Sequence, residues 1–233
     1  MRGLRVGYVV AAAATVFGAV TGRDRVQRVA KPLLMPLLAV DVLVEGGAMG
    51  RTDRGVLFGA LAAATLGDVF LLDPDDDRRL VAGASSFAVM QTGYSVLWWR
   101  HGARATGPAA VPRVGGWLAA AGLLAARARP LSIPLTAYGA TLAVAGTLAA
   151  DPRLAPNSKT IAGISIPDKN PRSRLALGAL LFTLSDGMIV LRRLFARREV
   201  TRHLTEALIL ATYATAQLAL ADPRAHAQPP SRS

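Results

Sequence analysis

Two aspartates interrupt long apolar stretches of this sequence, and each closes a similar motif. Residues 65–68 read TLGD, and residues 183–186 read TLSD, 118 positions later. Each motif ends a run that begins with Gly-Ala-Leu, and further apolar residues follow both. Two carboxyl groups brought together in such surroundings can divide into an acid and a base, because burial and mutual repulsion keep one of them protonated.

The position of each aspartate along its stretch favours a functional role. Asp68 lies 14 residues after Arg54, and Asp186 lies 12 residues after Arg174. On helices these separations correspond to about 21 and 18 Å. Ionisable residues inside a membrane span are rare and by default indicate function. Hydration near a membrane surface is the alternative explanation, since other charged residues follow both aspartates within six positions.

The elements that must hold these aspartates are apolar blocks of the length of a membrane span. The 233 residues are 52% apolar and only 18% charged, and the mean hydropathy is +0.35. A bilayer of about 30 Å needs roughly 17 to 25 apolar residues per helix. The sequence therefore predicts an all-α, polytopic membrane helix bundle with eight transmembrane helices. The eight spans are approximately 4–21, 32–49, 55–72, 80–99, 113–126, 131–150, 173–195 and 203–221.

Eight crossings would place Asp68 and Asp186 on the third and seventh helices, which run in the same direction. The two carboxylates would then lie at one level, on helices with small residues that permit close approach, and they could share a site. The similar motifs also suggest a possible 4+4 parallel repeat. The fifth span is the shortest, with 13 residues between Arg113 and Arg127. If it did not cross, the aspartates would separate in depth, so their matched depth favours eight crossings.

The domain organisation follows from the same blocks. Residues 1–222 are predicted to form a single transmembrane helical domain, and residues 223–233 a disordered tail.

The formal net charge is +12, but the basic residues stand between the apolar blocks, where they suit lipid headgroups rather than nucleic acid. They divide almost equally between the two sides, so the positive-inside rule does not orient the chain. No cysteine is present, which excludes thiol chemistry.

Other polar side chains fall within the predicted spans. They are Gln91, Tyr94, Tyr138, Ser185, Tyr213 and Gln217. Gln91 and Tyr94 are three residues apart, and Tyr213 and Gln217 are four apart, so each pair lies on one face of its helix. Hydrogen bonding between helices explains any one of them. Together with the aspartates they could instead line one polar, lipid-accessible cavity.

These motifs together resemble the lysoplasmalogenase (YhhN-like) family of integral membrane proteins. The resemblance rests on LGDVFLL at 66–72, FAVMQTGY at 87–94, Tyr138, GALLFTLSDGMIVL at 178–191 and TYATAQLAL at 212–220. It implies eight helices and hydrolysis of the vinyl ether bond of lysoplasmalogens to a fatty aldehyde and a glycerophospho-base. The two aspartates of the family fall on Asp68 and Asp186. The family usually carries a histidine where this chain has Gln91, and glutamine cannot relay a proton.

The chemistry that the resemblance implies suits a pair of aspartates. A vinyl ether is cleaved when an acid protonates its outer carbon and water captures the resulting oxocarbenium ion. We therefore expect Asp68 and Asp186 to be catalytic, the six polar residues to bind substrate, and no cofactor or metal to be needed. The expected partner is a lipid within the bilayer, with no nucleic acid, and the expected location is a bacterial inner membrane.

A transporter is the alternative function that the sequence leaves open. A proton-coupled carrier of a small or lipid-like solute would use the same pair of aspartates, and parallel repeats occur in transporters too. Against transport, the sequence shows no Gly- or Pro-broken helix in matching places of both halves. A purely structural membrane protein is the third possibility, and the paired motif argues against it.

Overall fold

The protein is a bundle of long helices with one small hairpin. A computed structural model describes residues 2–161 and 164–227. These residues form nine α-helices and two short antiparallel strands, β1 (Thr160–Ile161) and β2 (Ile164–Ser165). The helices are α1 (Arg2–Thr21), α2 (Asp24–Ala30), α3 (Leu34–Glu45), α4 (Arg51–Phe70), α5 (Asp77–Arg100), α6 (Gly107–Arg127), α7 (Arg129–Ala149), α8 (Arg174–Phe195) and α9 (Glu199–Leu220).

Five helical segments are long and apolar enough to cross a membrane, so the chain is a multi-pass membrane helix bundle. They are Gly3–Thr21, Asp77–Arg100, Gly107–Arg127, Arg129–Ala149 and Pro171–Phe195. The second predicted span is divided, since a 3-10 turn at Lys31–Leu33 joins α2 to α3. Pro32 in this turn lacks the N–H that a continuous helix would use. The helices α4 and α9 carry charged residues in their first turns, and eight crossings therefore stay a prediction.

Helix α6 is longer than the sequence predicted. It runs for 21 residues and includes Arg113, which had been taken as the boundary of the span. That length corresponds to about 32 Å of helix, enough to cross a bilayer without snorkelling at both ends. Pro108 stands in the first turn, where the missing N–H costs nothing. The prediction of a short fifth span was wrong, because a charged residue near a helix end does not mark where the helix begins.

Two helical hairpins, α4 with α5 and α8 with α9, form the centre of the bundle. Helix α1 packs against α9, and α7 packs against α5, so the two halves of the chain are joined on both sides. Helix α6 packs closely only against α7, and its buried residues are Ala109 and Leu124. Large apolar side chains also cover the outside, where Val111 is 72% and Ile133 82% exposed. An apolar exterior suits a lipid solvent.

Charged contacts define one end of the bundle. Arg5 in the first turns of α1 donates to Asp41 and to Asp222, both at 3.1 Å. At the same end Asp53, in the first turn of α4, accepts from Arg100 at 2.8 Å. The Asp41 contact gives that carboxylate a structural role, since it ties α1 to α3.

A second group of ion pairs closes the other end. Arg192 and Arg193 in the last turns of α8 contact Asp75 and Asp77, in the segment between α4 and α5. Helix α4 starts at the first end and finishes at this one, and so does α8. The two aspartate helices therefore run in the same direction, as the twin motifs predict.

Part of the predicted tail is folded. Residues Pro223–Ala225 form a 3-10 turn after α9, and the following His226 is fully buried. The His226 Nε2–H donates to the Leu220 carbonyl at 2.8 Å, and burial lowers the pKa of this imidazole to about 4. Residues 223–227 thus pack against the bundle, because apolar contacts and this hydrogen bond hold them. Residues 228–233 of the predicted tail lie outside the described residues.

Candidate functional site

An apolar cavity of about 500 Å³ lies between α5, α6, α7 and α8. Helix α6 packs along α7, and it meets α8 through Ala109 beside Ala176 and through Arg127 over the Phe195 ring. Leucine, alanine and glycine make up most of its wall, and the cavity is partly open to the outside of the bundle. The few polar or charged side chains among its lining residues are Arg113, Thr136, Tyr138, Thr183, Asp186 and Arg193.

Among the lining residues that the structure describes, Asp186 is the only carboxylate. The Tyr138 hydroxyl, on α7, donates a short hydrogen bond to Asp186 Oδ2. The amide of Gln91 lies beside the Tyr138 hydroxyl, but no described atom completes a well-formed hydrogen bond to its Nε2. Gly187, next to Asp186, has open space where a side chain would stand. The structure therefore offers one carboxyl group, held by a tyrosine, to a molecule in the cavity.

Asp68 occupies a different environment in the closed core of the bundle. It is 1% exposed and does not line the cavity. The Tyr213 hydroxyl donates to Asp68 Oδ2 at 2.8 Å. Lys31, itself only 5% exposed, brings a positive charge into the same interior and donates to the Leu71 carbonyl at 2.8 Å. A buried charge is stabilised by an opposite charge nearby, and Asp68 has one whereas Asp186 does not.

Three aromatic rings stand between the surroundings of Asp68 and the cavity. Phe87, Phe182 and Tyr213 pack edge to face, with ring centroids 5.7 to 6.0 Å apart. Phe87 lines the cavity, while the other end of this cluster is the tyrosine bonded to Asp68. A Cβ at Gly67 would come within 2.7 Å of the Phe87 ring, so this glycine lets the ring lie against α4.

The structure places the two aspartates in different surroundings, and their action as one acid/base pair stays a prediction. Helix α4 packs on α3 and α5, whereas α8 packs on α7 and α9. The close packing of α4 against α8 that their small residues permit is therefore not seen. The aspartates have separate tyrosine partners, and only one of them reaches the cavity.

Most of the polar residues predicted to bind substrate make hydrogen bonds between helices. The Tyr94 hydroxyl donates to Gln217 Oε1 at 2.8 Å, which joins α5 to α9. The Ser185 hydroxyl donates to the Ile209 carbonyl at 3.0 Å, which joins α8 to α9. Tyr138 is the one member of the predicted set that lines the cavity. A substrate-binding role stays a prediction for all six.

Sequence reasoning missed two charged residues of the interior. Arg113 lines the cavity, although it had been assigned to a span boundary. Lys31 directly precedes the second predicted span, and in the structure it is 5% exposed and donates to the Leu71 carbonyl at 2.8 Å. The signal for Lys31 was the following proline, which breaks the helix and turns the lysine inward at the start of α3.

The comparison with known families decides which proteins this bundle belongs with. The model of the YhhN family matches residues 26–223, which include both aspartate motifs and every helix that forms the cavity. The chain belongs to the YhhN family. No curated protein and no solved structure matches it. In this YhhN family protein, the matched region begins within α2 and ends just after α9, so it covers the whole helical bundle apart from α1.

Proposed function

We propose that this YhhN family protein is a membrane-embedded hydrolase that cleaves the vinyl ether bond of lysoplasmalogens. The products would be a fatty aldehyde and a glycerophospho-base. Membership of the family supports the reaction class, and one observation on the structure supports it further. Asp186, with Tyr138 bonded to it, is the single carboxylate facing an apolar cavity of a size suited to one lipid chain.

The proposed chemistry starts with Asp186 as a carboxylic acid. Its proton goes to the outer carbon of the vinyl ether, and the double-bond electrons form the new C–H bond. The oxocarbenium ion that results is stabilised by the Asp186 carboxylate. Water then attacks the cationic carbon and gives its proton to Asp186. The hemiacetal collapses to the aldehyde and the alcohol of the glycerophospho-base, so protons balance over the cycle.

Asp68 has a supporting role in this proposal. Its carboxylate does not line the cavity, and its partner Tyr213 packs edge to face on Phe87, which does. We therefore assign the contact with the substrate to Asp186, and to Asp68 the positioning of Tyr213 within the aromatic cluster. A direct acid/base pair, which the twin motifs suggest, would require Phe87 to move aside.

The lipid substrate would reach the cavity from the bilayer. The cavity is partly open to the outside, and α6, which forms one of its walls, packs closely only against α7. The proposed location is the inner membrane of a bacterium, consistent with a sequence rich in alanine and arginine. No cofactor is required for an acid/base mechanism of this kind.

The experiment that tests this function is aldehyde release from a lysoplasmalogen by the purified protein in detergent. Asp186→Asn should lower the rate about 10²- to 10⁴-fold, as expected for the loss of a general acid. Asp68→Asn should lower it less, and Asp73→Asn, in the exposed segment after α4, should leave it unchanged. Thermal unfolding of each variant would establish that the protein remains folded.

Two results would count against the proposal. If the folded native protein releases no aldehyde, the vinyl ether assignment is wrong, and proton-coupled uptake of a solute into vesicles would be tested next. If Asp68→Asn removes activity as completely as Asp186→Asn while the fold is intact, the two aspartates act as one catalytic unit, and the supporting role of Asp68 is wrong.

A further inference from the structure

Arg113 places a positive charge on the wall of an otherwise apolar cavity. It lies on α6, and its side chain lines the cavity together with leucine, alanine and glycine residues. Its Nη1 donates to the Ala109 carbonyl of its own helix at 2.7 Å. None of the ion pairs among residues 2–161 and 164–227 includes Arg113. A guanidinium in low-dielectric surroundings is stabilised by an anion, and the described part of the protein does not supply one.

The neighbouring helix leaves room for this side chain. A Cβ at Gly146, on α7, would come within 3.2 Å of Arg113 Nε and 3.4 Å of its Cδ. Gly146 thus lets the arginine lie flat against α7. The Ala109 carbonyl fixes the guanidinium from one side, so its remaining N–H groups are free to bind an oxygen ligand. Arginine donors in a planar fork match the geometry of a phosphate group.

Arg113 and the carboxylate lie at different levels of the cavity. Gly146, which Arg113 contacts, and Tyr138, which bonds Asp186, are eight residues apart on α7, a backbone rise of about 12 Å. The phosphate and the glycerol-linked bond of a lysolipid likewise lie at different levels along the molecule. Beyond Asp186 the cavity continues between apolar side chains toward the other end of the bundle, where Leu131 and Leu194 line it.

Arg193, the arginine at that far end, already has partners within the protein. Arg193 also lines the cavity, but it donates to the Pro74 carbonyl at 2.8 Å and forms an ion pair with Asp77. An anionic group is therefore favoured at the Arg113 end and an apolar chain at the Arg193 end. This charge asymmetry gives a bound lipid one orientation.

We propose that Arg113 binds the phosphate of a single-chain lysophospholipid and so places the bond next to the glycerol beside Asp186. The proposal rests on the proposed function for its substrate class, and it adds the residue that recognises the headgroup. A lipid of the same chain without a phosphate would lose this contact. Arg113 is then a specificity-determining residue, and it acts on binding rather than on proton transfer.

Binding can be measured apart from catalysis with a saturated alkyl-ether lysophospholipid, which has no vinyl ether to cleave. Its titration would be followed by tryptophan fluorescence, since Trp117 lines the cavity. Arg113→Gln should weaken binding of this lipid about 10- to 100-fold, as expected for a lost charge-assisted hydrogen bond. Binding of the matching alkylglycerol should not change. Arg113→Lys should retain part of the affinity, and Arg129→Gln, at an exposed position outside the cavity, should retain all of it.

If the native protein cleaves lysoplasmalogen, the KM and kcat of the same variants can also be measured. Arg113→Gln should raise the KM for lysoplasmalogen by the same factor, with little change in kcat and none in the KM for alkenylglycerol. Native protein that binds the alkyl-ether lipid but releases no aldehyde would contradict the proposed hydrolysis and leave the role of Arg113 standing.

Two outcomes would overturn the role of Arg113. Equal weakening of both lipids, or of neither, would show that Arg113 does not recognise the phosphate and serves the packing of α6 or contacts with bulk lipid. Displacement of the alkyl-ether lipid by inorganic phosphate at comparable affinity would show a free-anion site rather than a lipid headgroup site.

Discussion

At the scale of single residues, the aspartates that end two nearly identical motifs lie in different surroundings. Asp68 is enclosed with Lys31 and Tyr213, whereas Asp186 has Tyr138 and an open side toward the cavity. Asp68 has no open side toward a ligand, whereas Asp186 can meet a molecule in the cavity. The motif alone cannot distinguish the two, since the distinction lies in residues contributed by other helices.

Tyr138→Phe tests the assignment of the reacting carboxyl group. The change removes the hydroxyl that orients Asp186, and we expect the kcat for aldehyde release to fall about 10- to 100-fold, with little change in the unfolding temperature. Tyr213→Phe is the matched control, because it removes the equivalent hydrogen bond from Asp68. That variant should lose stability more than rate. An equal loss of rate in both variants would mean that the aspartates act together.

At the scale of helices, small residues decide where aromatic rings can lie. Gly67 on α4 leaves room for the ring of Phe87 from α5. Gly83 on α5 leaves room for Leu71, because a Cβ at Gly83 would come within 2.8 Å of the leucine side chain. These reciprocal contacts hold α4 and α5 close together and place Phe87 between the cavity and Tyr213. Close backbone approach through small residues is the usual way in which helices pack in membranes.

Gly67→Ala tests this packing. The added methyl group would collide with the Phe87 ring, and we expect a loss of about 1 to 3 kcal/mol of stability, because the ring or the helix must shift. Gly59→Ala on the same helix is the control, since no atom lies within 4 Å of its Cβ position, and it should be neutral or slightly stabilising. Thermal unfolding in detergent measures both. Equal unfolding temperatures would show that Phe87 can move freely.

At the scale of the whole molecule, charged side chains gather at the two ends of the bundle and the apolar cavity lies between them. One end holds Arg5 with Asp222, and the other holds the ion pairs of Asp75 and Asp77. Burial alone would raise the pKa of Asp222, but hydrogen bonds from Arg224 and Arg5 outweigh it and lower that pKa below its ordinary value. This arrangement fits a molecule whose middle lies in lipid and whose ends meet water.

Labelling of single cysteines tests whether α5 and α8 each cross and whether α6 and α7 together return the chain to the first side. The chain has no cysteine, so cysteine can be introduced at exposed positions, Ala105 and Lys169 at the first end and Asp73 and Arg197 at the other. In sealed vesicles of known orientation, an impermeant maleimide should react with the first two from one side. The other two should react only from the opposite side. Labelling of all four from one side would contradict eight crossings.

The sequence by itself determined the class of this protein and the family to which it belongs. Block length predicts membrane helices, and the spacing of Asp68 and Asp186 from their charged neighbours predicts their depth and common direction, because rise per residue is a local property of a helix. The resemblance that predicted the family is confirmed by the match over residues 26–223.

Only the tertiary structure decided which side chains meet. It left Asp68 outside the cavity that Asp186 lines, placed Arg113 on the wall of that cavity and folded residues 223–227 onto the bundle. The physical reason is that lipid-facing and protein-facing positions of a membrane helix are equally apolar, so hydropathy does not show which helices are neighbours. That choice depends on the shapes of glycine, alanine and aromatic side chains packed across helices, which no single stretch of sequence contains.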